Sequence, residues 1–297
     1  MQRITPCLWF NNNIEEAVNL YTSLFPDTSV GKIARYGKEG AAVSGQKEGD
    51  IMTMMFTLSG QEFMGLNGGP YYTFTPAVSL FVNCESEAEI DALWAGLSKG
   101  GMALMELAKY PFSEKFGWLQ DKFGLSWQLN LAPRKQKIAP FVMFVKDKHG
   151  RASEAMEFLA SVFNDGKIVK IDRWAAGEHE PEGTVKHGVF ELGGLEFMAM
   201  DSAMDHQFGI TGAISFIVDC ESQDKVDYYW DRLTGSGGKE SQCGWLEDRF
   251  GISWQITPTV LGKLMEDPKG GARVAQAMFR MRKLDIATLE AAARAAS

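Results

Sequence analysis

The sequence predicts an α+β protein made of two tandem repeats, each of two β-α-β-β-β modules, followed by a helical C-terminal extension. Three observations predict it. The string Gly117-Trp118-Leu119-Gln120-Asp121-Lys122-Phe123-Gly124-Leu125-Ser126-Trp127-Gln128-Leu129 returns 127 positions on as Gly244-Trp245-Leu246-Glu247-Asp248-Arg249-Phe250-Gly251-Ile252-Ser253-Trp254-Gln255-Ile256. Other blocks return in the same order: Gly60–Met64 as Gly194–Met198, and Ser79–Ser86 as Ser215–Ser222. Within each repeat the apolar period switches twice between strand and helix, and residues after Pro258 have no counterpart in the first half.

The elements follow in order. Residues 4–10 form an apolar strand, and Asn13 then caps a helix whose Ile14, Ala17, Val18, Tyr21 and Phe25 recur at helical spacing until Pro26-Asp27 stops it. Strands are expected at 30–36, 51–58 and 61–67, the last two joined by a tight Ser59-Gly60 turn. The second module repeats the pattern with a strand at 77–82, a helix from Glu87 to Leu97 and strand material ending in Gly124–Leu131. Ile4-Thr5-Pro6 is answered by Ile138-Ala139-Pro140, so the repeats run 1–133 and 134–257, with a polar linker Pro133–Lys137 between them. The extension, 258–297, carries Val274, Ala277, Met278, Met281 and Leu284 at helical spacing, and Asp285 caps a last helix from Ile286 to Ala296. Such a face covers an open sheet or makes a subunit contact.

Composition bounds the function. With 45% hydrophobic and 23% charged residues in 297, the chain is ordinary globular protein. A net charge of −8 repels phosphate backbones and anionic bilayers, so nucleic acid and membranes are not expected partners. The N-terminus shows no signal-peptide core and no stretch is apolar enough to span a bilayer, which points to a cytoplasmic protein. Cys7, Cys84, Cys220 and Cys243 are far apart without a CxxC and read as reduced thiols.

Together with Thr5-Pro6-Cys7-Leu8-Trp9-Phe10 and Leu66-Asn67-Gly68-Gly69-Pro70, the repeated Gly-Trp-Leu-x-Asp-x-Phe-Gly-x-Ser-Trp-Gln string resembles the PhnB-like branch of the vicinal oxygen chelate (glyoxalase/bleomycin-resistance/dioxygenase) superfamily, often labelled the 3-demethylubiquinone-9 3-methyltransferase family. The resemblance implies that two modules pair into a curved eight-stranded mixed sheet around a cleft. It also implies that two domains in one chain form a pseudo-dimer; a homodimer of such chains stays open, as does whether modules pair within a repeat or between repeats. The label's methyl transfer is not supported by the residues. Gly68-Gly69, Gly193-Gly194 and Gly235–Gly238 lack the strand-turn-helix context that cradles a nucleotide-type cofactor.

In metal-dependent relatives the ligands come from the first strand of each module and from a Glu on the last. Here those places hold Pro6, Ala77 and Gln128, then Pro140, Ala213 and Gln255, and a shift of one position adds only Cys7. No imidazole or carboxylate is supplied, so neither a metal nor another cofactor is expected. The cleft candidates are Gln128 and Ser126, which alternation puts on one strand face, their counterparts Gln255 and Ser253, and the tryptophans Trp118 and Trp245, able to stack on a flat ligand. His187 opens a strand of the second half and could serve its cleft as a base. Asp121 and Asp248 read as a solvated turn pair with the cations that follow them. The sequence therefore points to a metal-independent binder of a small, partly apolar molecule. The alternatives are a glyoxalase- or dioxygenase-type enzyme, a lyase or isomerase, whose active site no motif reveals, and a structural role for one degenerate domain.

Overall fold

A computed structural model describes residues 4–134, 136–267 and 270–295. Met1–Arg3 of the N-terminal reading, Lys135 of the linker and Ala296 at the end of the last expected helix lie outside them. The first module comprises β1 (Ile4–Phe10), α1 (Ile14–Leu24), β2 (Ser29–Arg35), a short α2 (Lys38–Ser44), β3 (Ile51–Leu58) and β4 (Gln61–Asn67). The second is β5 (Val78–Cys84), α3 (Glu87–Leu97), β6 (Met102–Tyr110), β7 (Ser113–Gln120) and β8 (Ser126–Leu131). The third is β9 (Ile138–Phe144), α4 (Ala152–Val162), β10 (Lys167–Arg173), β11 (Val185–Leu192) and β12 (Leu195–Asp201). The fourth is β13 (Ile214–Cys220), α5 (Gln223–Thr234), β14 (Lys239–Glu240), β15 (Trp245–Glu247) and β16 (Ser253–Pro258). The extension folds as α6 (Val260–Glu266), α7 (Gly271–Met278) and α8 (Ile286–Arg294).

The strands make two mixed eight-stranded sheets, and each sheet is assembled across the repeats. The first runs β14-β15-β16-β13-β1-β4-β3-β2 and the second β10-β11-β12-β9-β5-β8-β7-β6. Modules one and four therefore share a sheet, joined by antiparallel β1 and β13 with Cys7 opposite Ser215. Modules two and three share the other, joined by β5 and β9 with Ser79 opposite Phe141. Helices α1, α3, α4 and α5 pack on one side of the strands and contribute to a single large core that takes in both sheets. Among the described residues no helix is long and apolar enough to cross a membrane.

Local chemistry explains the joints. Ser59 and Gly60 both have positive φ, 49° and 74°, which is the hairpin turn expected of Ser-Gly. Asp285 caps α8 by accepting from Thr288 N at 2.7 Å. The expected Asn13 cap is a correction: its side chain makes no cap bond, and the Ile14 N–H is instead taken by Asn67 Oδ1 at 3.2 Å from the end of β4. That long-range partner locks the start of α1 to the sheet, a bond no local pattern could announce.

A second correction concerns the repeated aspartates. Asp121 and Asp248 are buried, 3% and 1% exposed, and not solvated. Asp121 Oδ1 accepts from the backbone N–H of Phe123 and Leu125, and Oδ2 accepts from Trp127 Nε1 at 2.9 Å and Tyr21 Oη at 2.7 Å. Asp248 repeats three of these bonds, with Phe250, Ile252 and Trp254. Each carboxylate pins its turn to the tryptophan of the following strand. Burial pushes the Asp248 carboxyl up to about 6, against the Trp254 indole and backbone donors that hold it down. The folded value lies above that of an unfolded aspartate, so the folded state takes the proton first as pH falls from about 6 towards about 4, and the group's contribution to stability is lost as pH rises through 6. The stability difference between wild type and Asp248→Asn is expected to shift in the wild type's favour between pH 7 and pH 5; a difference independent of pH in this window would show that Asp248 titrates normally.

Candidate functional site

The faces of the two sheets turned away from the helices are treated differently, and three side chains are part of the difference. On the second sheet Phe81 (β5), Phe116 (β7) and Phe141 (β9) close over the face, with ring centroids 6.0 Å apart for Phe81–Phe141 and 6.3 Å for Phe81–Phe116. Ala139, Met143, Val145, Val189 and Met198 complete the cluster. The repeat places Ile217, Cys243 and Cys7 at the equivalent positions of the first sheet. Three phenyl rings are thus replaced by one isoleucine and two thiols, and that face is open: a cleft of about 590 Å³ lies over it. This is the volume range of ordinary small-molecule sites.

The cleft is aromatic. Trp9 of β1 stands edge-on to Trp245 of β15 at 5.9 Å and to Tyr72 at 5.0 Å, and Tyr72 meets the exposed Tyr71 at 4.7 Å. All four line the cavity. Trp9 is fixed by its indole N–H, which donates to Gly69 O at 2.8 Å. Gly68 makes that seat possible, since a Cβ there would fall 2.1 Å from the indole ring. Met52 and Met64 add deformable apolar wall, and Tyr36, Gly40 and Ser44 bring in α2 and the residues before it. The extension contributes Leu261, Met278 and Phe279, so the tail covers this sheet face, one of the two roles expected of it.

Polar groups also line the cleft, among them the Asp219 carboxylate, Gln242, Thr257 and Gln255. Gln255 is half-buried, lines the cleft and donates through Nε2 to Ser215 Oγ at 3.0 Å, which fixes its amide. The Cys7 thiol touches both; burial pushes it up to about 11, against these hydrogen bonds, so it is a neutral thiol at pH 7. Among the lining residues there is no lysine, arginine or histidine.

The candidate residues from the sequence therefore separate into two groups. Trp245 and Gln255 line the open cleft. Ser253 is buried two residues before Gln255, opposite Ser215 in the ladder. Gln128 makes the same bond as Gln255, to Ser79 Oγ at 2.8 Å, but it is buried in the filled sheet, while Ser126 is consumed by Trp118 Nε1 at 2.9 Å. His187 sits 6.4 Å from the Phe141 ring, and burial, with Arg134 nearby, pushes it below the usual histidine value, leaving it neutral at pH 7. The sequence reading missed Trp9, Tyr71, Tyr72 and the tail's Phe279. Trp9 was visible in its motif; Tyr71 and Tyr72 lie in a loop with no periodic signal, and Phe279 sits in the turn after α7, beside the tail's apolar stripe and not on it.

The donor set does not fit the divalent metal of this fold's metal-dependent members. The cleft lining offers one carboxylate, Asp219, beside amides, hydroxyls and the Cys243 thiol, which burial pushes up to about 11, and a single carboxylate does not make a divalent site. Among the described residues no three His, Cys, Asp or Glu side chains come together as a metal group.

Paired β-α-β-β-β modules around such a face define the vicinal oxygen chelate superfamily. Glyoxalase I from Zea mays shares the fold over 85% of this chain and 92% of its own at a TM-score of 0.55, with 10% identity. The chain belongs to the family described as 3-demethylubiquinone-9 3-methyltransferase, whose model matches residues 2–130 and again 136–257. It is also similar to the PhnB protein of Bacillus cereus, at 50% identity over 44% of this chain and 100% of that one, TM-score 0.41. A Staphylococcus aureus protein is 39% identical over 44% of this chain and 96% of its own, TM-score 0.19. Comparison with curated proteins gave no match.

Proposed function

We propose that this protein binds a small, uncharged, flat and largely apolar molecule in the cleft of its first sheet, without a metal, and that the second sheet serves as its structural partner. The observation that carries the reading is the exchange of Phe81, Phe116 and Phe141 for Ile217, Cys243 and Cys7 on the face over which the cleft lies. Trp9, Trp245 and Tyr72 supply stacking and edge contacts to a ring system, and Gln255 supplies the hydrogen bond that orients it. The lining holds the Asp219 carboxylate and no lysine, arginine or histidine, which disfavours an anion.

The family description names a methyltransferase, and the glycines speak against carrying that activity over. Gly68-Gly69 lies beneath Trp9 in the loop after β4, Gly193-Gly194 makes the turn between β11 and β12, and Gly235–Gly238 follows α5. None joins the end of a strand to the start of a helix, the geometry that lets backbone approach a nucleotide-type cofactor.

The test uses N-phenyl-1-naphthylamine, a neutral flat probe with one N–H donor, followed by its fluorescence and by quenching of the cleft tryptophans. Saturable binding is expected, and Gln255→Ala should weaken it by about five-fold, the worth of one hydrogen bond of about 1 kcal/mol. Gln128→Ala should leave it unchanged. No saturable binding, or equal losses in the two glutamine variants, would overturn the assignment.

A further inference from the structure

We propose that the C-terminal tail is a ligand-contacting wall of the open cleft, and that Phe279 sets the size of molecule the cleft accepts. The proposal rests on the cleft reading above and adds to it the element that determines specificity.

The sequence shows a gap where the tail attaches. Gly101 and Gly117 flank the outer arm of the β6–β7 hairpin, and their counterparts Gly238 and Gly244 lie ten residues closer together. In the second sheet that arm is long, with strands of nine and eight residues, and its Tyr110 and Phe116 pack into the phenylalanine cluster. In the first sheet the arm is cut to β14 and β15, of two and three residues. The tail stands beside the shortened arm. Cys243 N donates to Met281 O at 2.8 Å and Gly244 N to Arg282 O at 2.7 Å, backbone bonds that attach the tail where the arm ends.

The stretch after Phe279 is firmly held. Gln223 donates through Nε2 to Leu284 O at 3.2 Å and accepts from Ile286 N at 2.9 Å, and Lys283 pairs with Asp227 and Asp231 at 3.0 and 3.1 Å. Val274, Leu284 and Leu289 bury into a small core of the tail's own. With these anchors fixed, Met278 and Phe279 are presented to the cavity. Across the cleft mouth Phe279 meets α2, where a Cβ on Gly40 would lie 3.5 Å from its ring. Helix α2 has no counterpart in the third module, whose residues 174–184 between β10 and β11 form no helix. The roof of the open cleft is therefore made of two additions, α2 and the tail, that the filled face lacks.

A phenyl ring set between α2 and the tail at the cavity sets a size limit. Full-length wild type, Phe279→Ala and Phe279→Trp are titrated with three neutral flat probes of rising size: indole, N-phenyl-1-naphthylamine and Nile red. Phe279→Ala should raise affinity for Nile red at least ten-fold relative to indole, and Phe279→Trp should shift the same ratio the other way. Two substitutions of opposite volume keep the test valid if one of them destabilises the tail, and melting temperatures identify that case. Equal affinity ratios in all three proteins, with wild-type binding intact, would overturn the tail's role and leave the cleft reading standing. Failure of the wild type to bind any of the probes would overturn the cleft reading and this proposal with it.

Discussion

Cys7→Phe, Ile217→Phe and Cys243→Phe together are expected to abolish ligand binding by at least 100-fold while the protein remains folded. The expected result follows from the second sheet, where phenylalanines at the same three places pack with centroids 6.0 and 6.3 Å apart. At Cys7 and Ile217 the strands keep the pairing that holds Phe141 and Phe81 in the second sheet, so rings there fill a cavity instead of overpacking a core, while Cys243 lies just before β15 at a φ of 60°, where a phenylalanine adds backbone strain. Each ring gains about 1.5–3 kcal/mol by burial, against an overpacking strain of about 1–3 kcal/mol, so the melting temperature should stay close to wild type. The rings take the sheet face on which a ligand would stack; 100-fold corresponds to about 3 kcal/mol. Probe titration and thermal melting of the triple variant check both halves. Undiminished binding would place the ligand elsewhere on the molecule.

The largest stability effect is expected at Asp121. Asp121→Ala should cost about 3–5 kcal/mol, the range for breaking a buried, multiply bonded charged group, because it strands the Tyr21 hydroxyl, the Trp127 indole and two backbone N–H groups at once. At roughly 2–4 °C per kcal/mol this amounts to a melting temperature lowered by about 6 °C or more. Asp248→Ala should cost less. Leu159 stands in the repeat where Tyr21 does, so the Asp248 carboxylate has no tyrosine partner and fewer bonds to lose. Differential scanning calorimetry of the two variants gives the order; equal costs would mean that the Tyr21 bond contributes nothing.

Much of the fold was legible because repeated strings demand repeated cores. The strands, the four helices of the modules, the Ser59-Gly60 turn and the Asp285 cap all follow from local chemistry. What was not legible is the choice of partner. β1 and β9 open equivalent modules, as β5 and β13 do, so β1 against β5 and β1 against β13 would bury nearly the same side chains. Pattern alone therefore leaves the two arrangements equal, and only the assembled chain distinguishes them. Helix α2 escaped notice because Gly40 interrupts a short polar stretch, and its helix is sustained by packing against the tail. Asp121 and Asp248 read as solvated because their neighbours are Lys122 and Arg249, while the donors that bury them come from Tyr21 and from tryptophans six residues on. The open cleft, by contrast, left a trace in the sequence: aligning the halves at Phe81 and Ile217, Phe116 and Cys243, and Phe141 and Cys7 reveals volume lost at three places on one face.

One open face among two sheets makes a claim about number. Isothermal titration of the full-length protein with N-phenyl-1-naphthylamine measures it directly. The structure predicts one probe bound per chain, falling to none when Cys7, Ile217 and Cys243 are all phenylalanine; two per chain, or one that survives this substitution, would contradict the account.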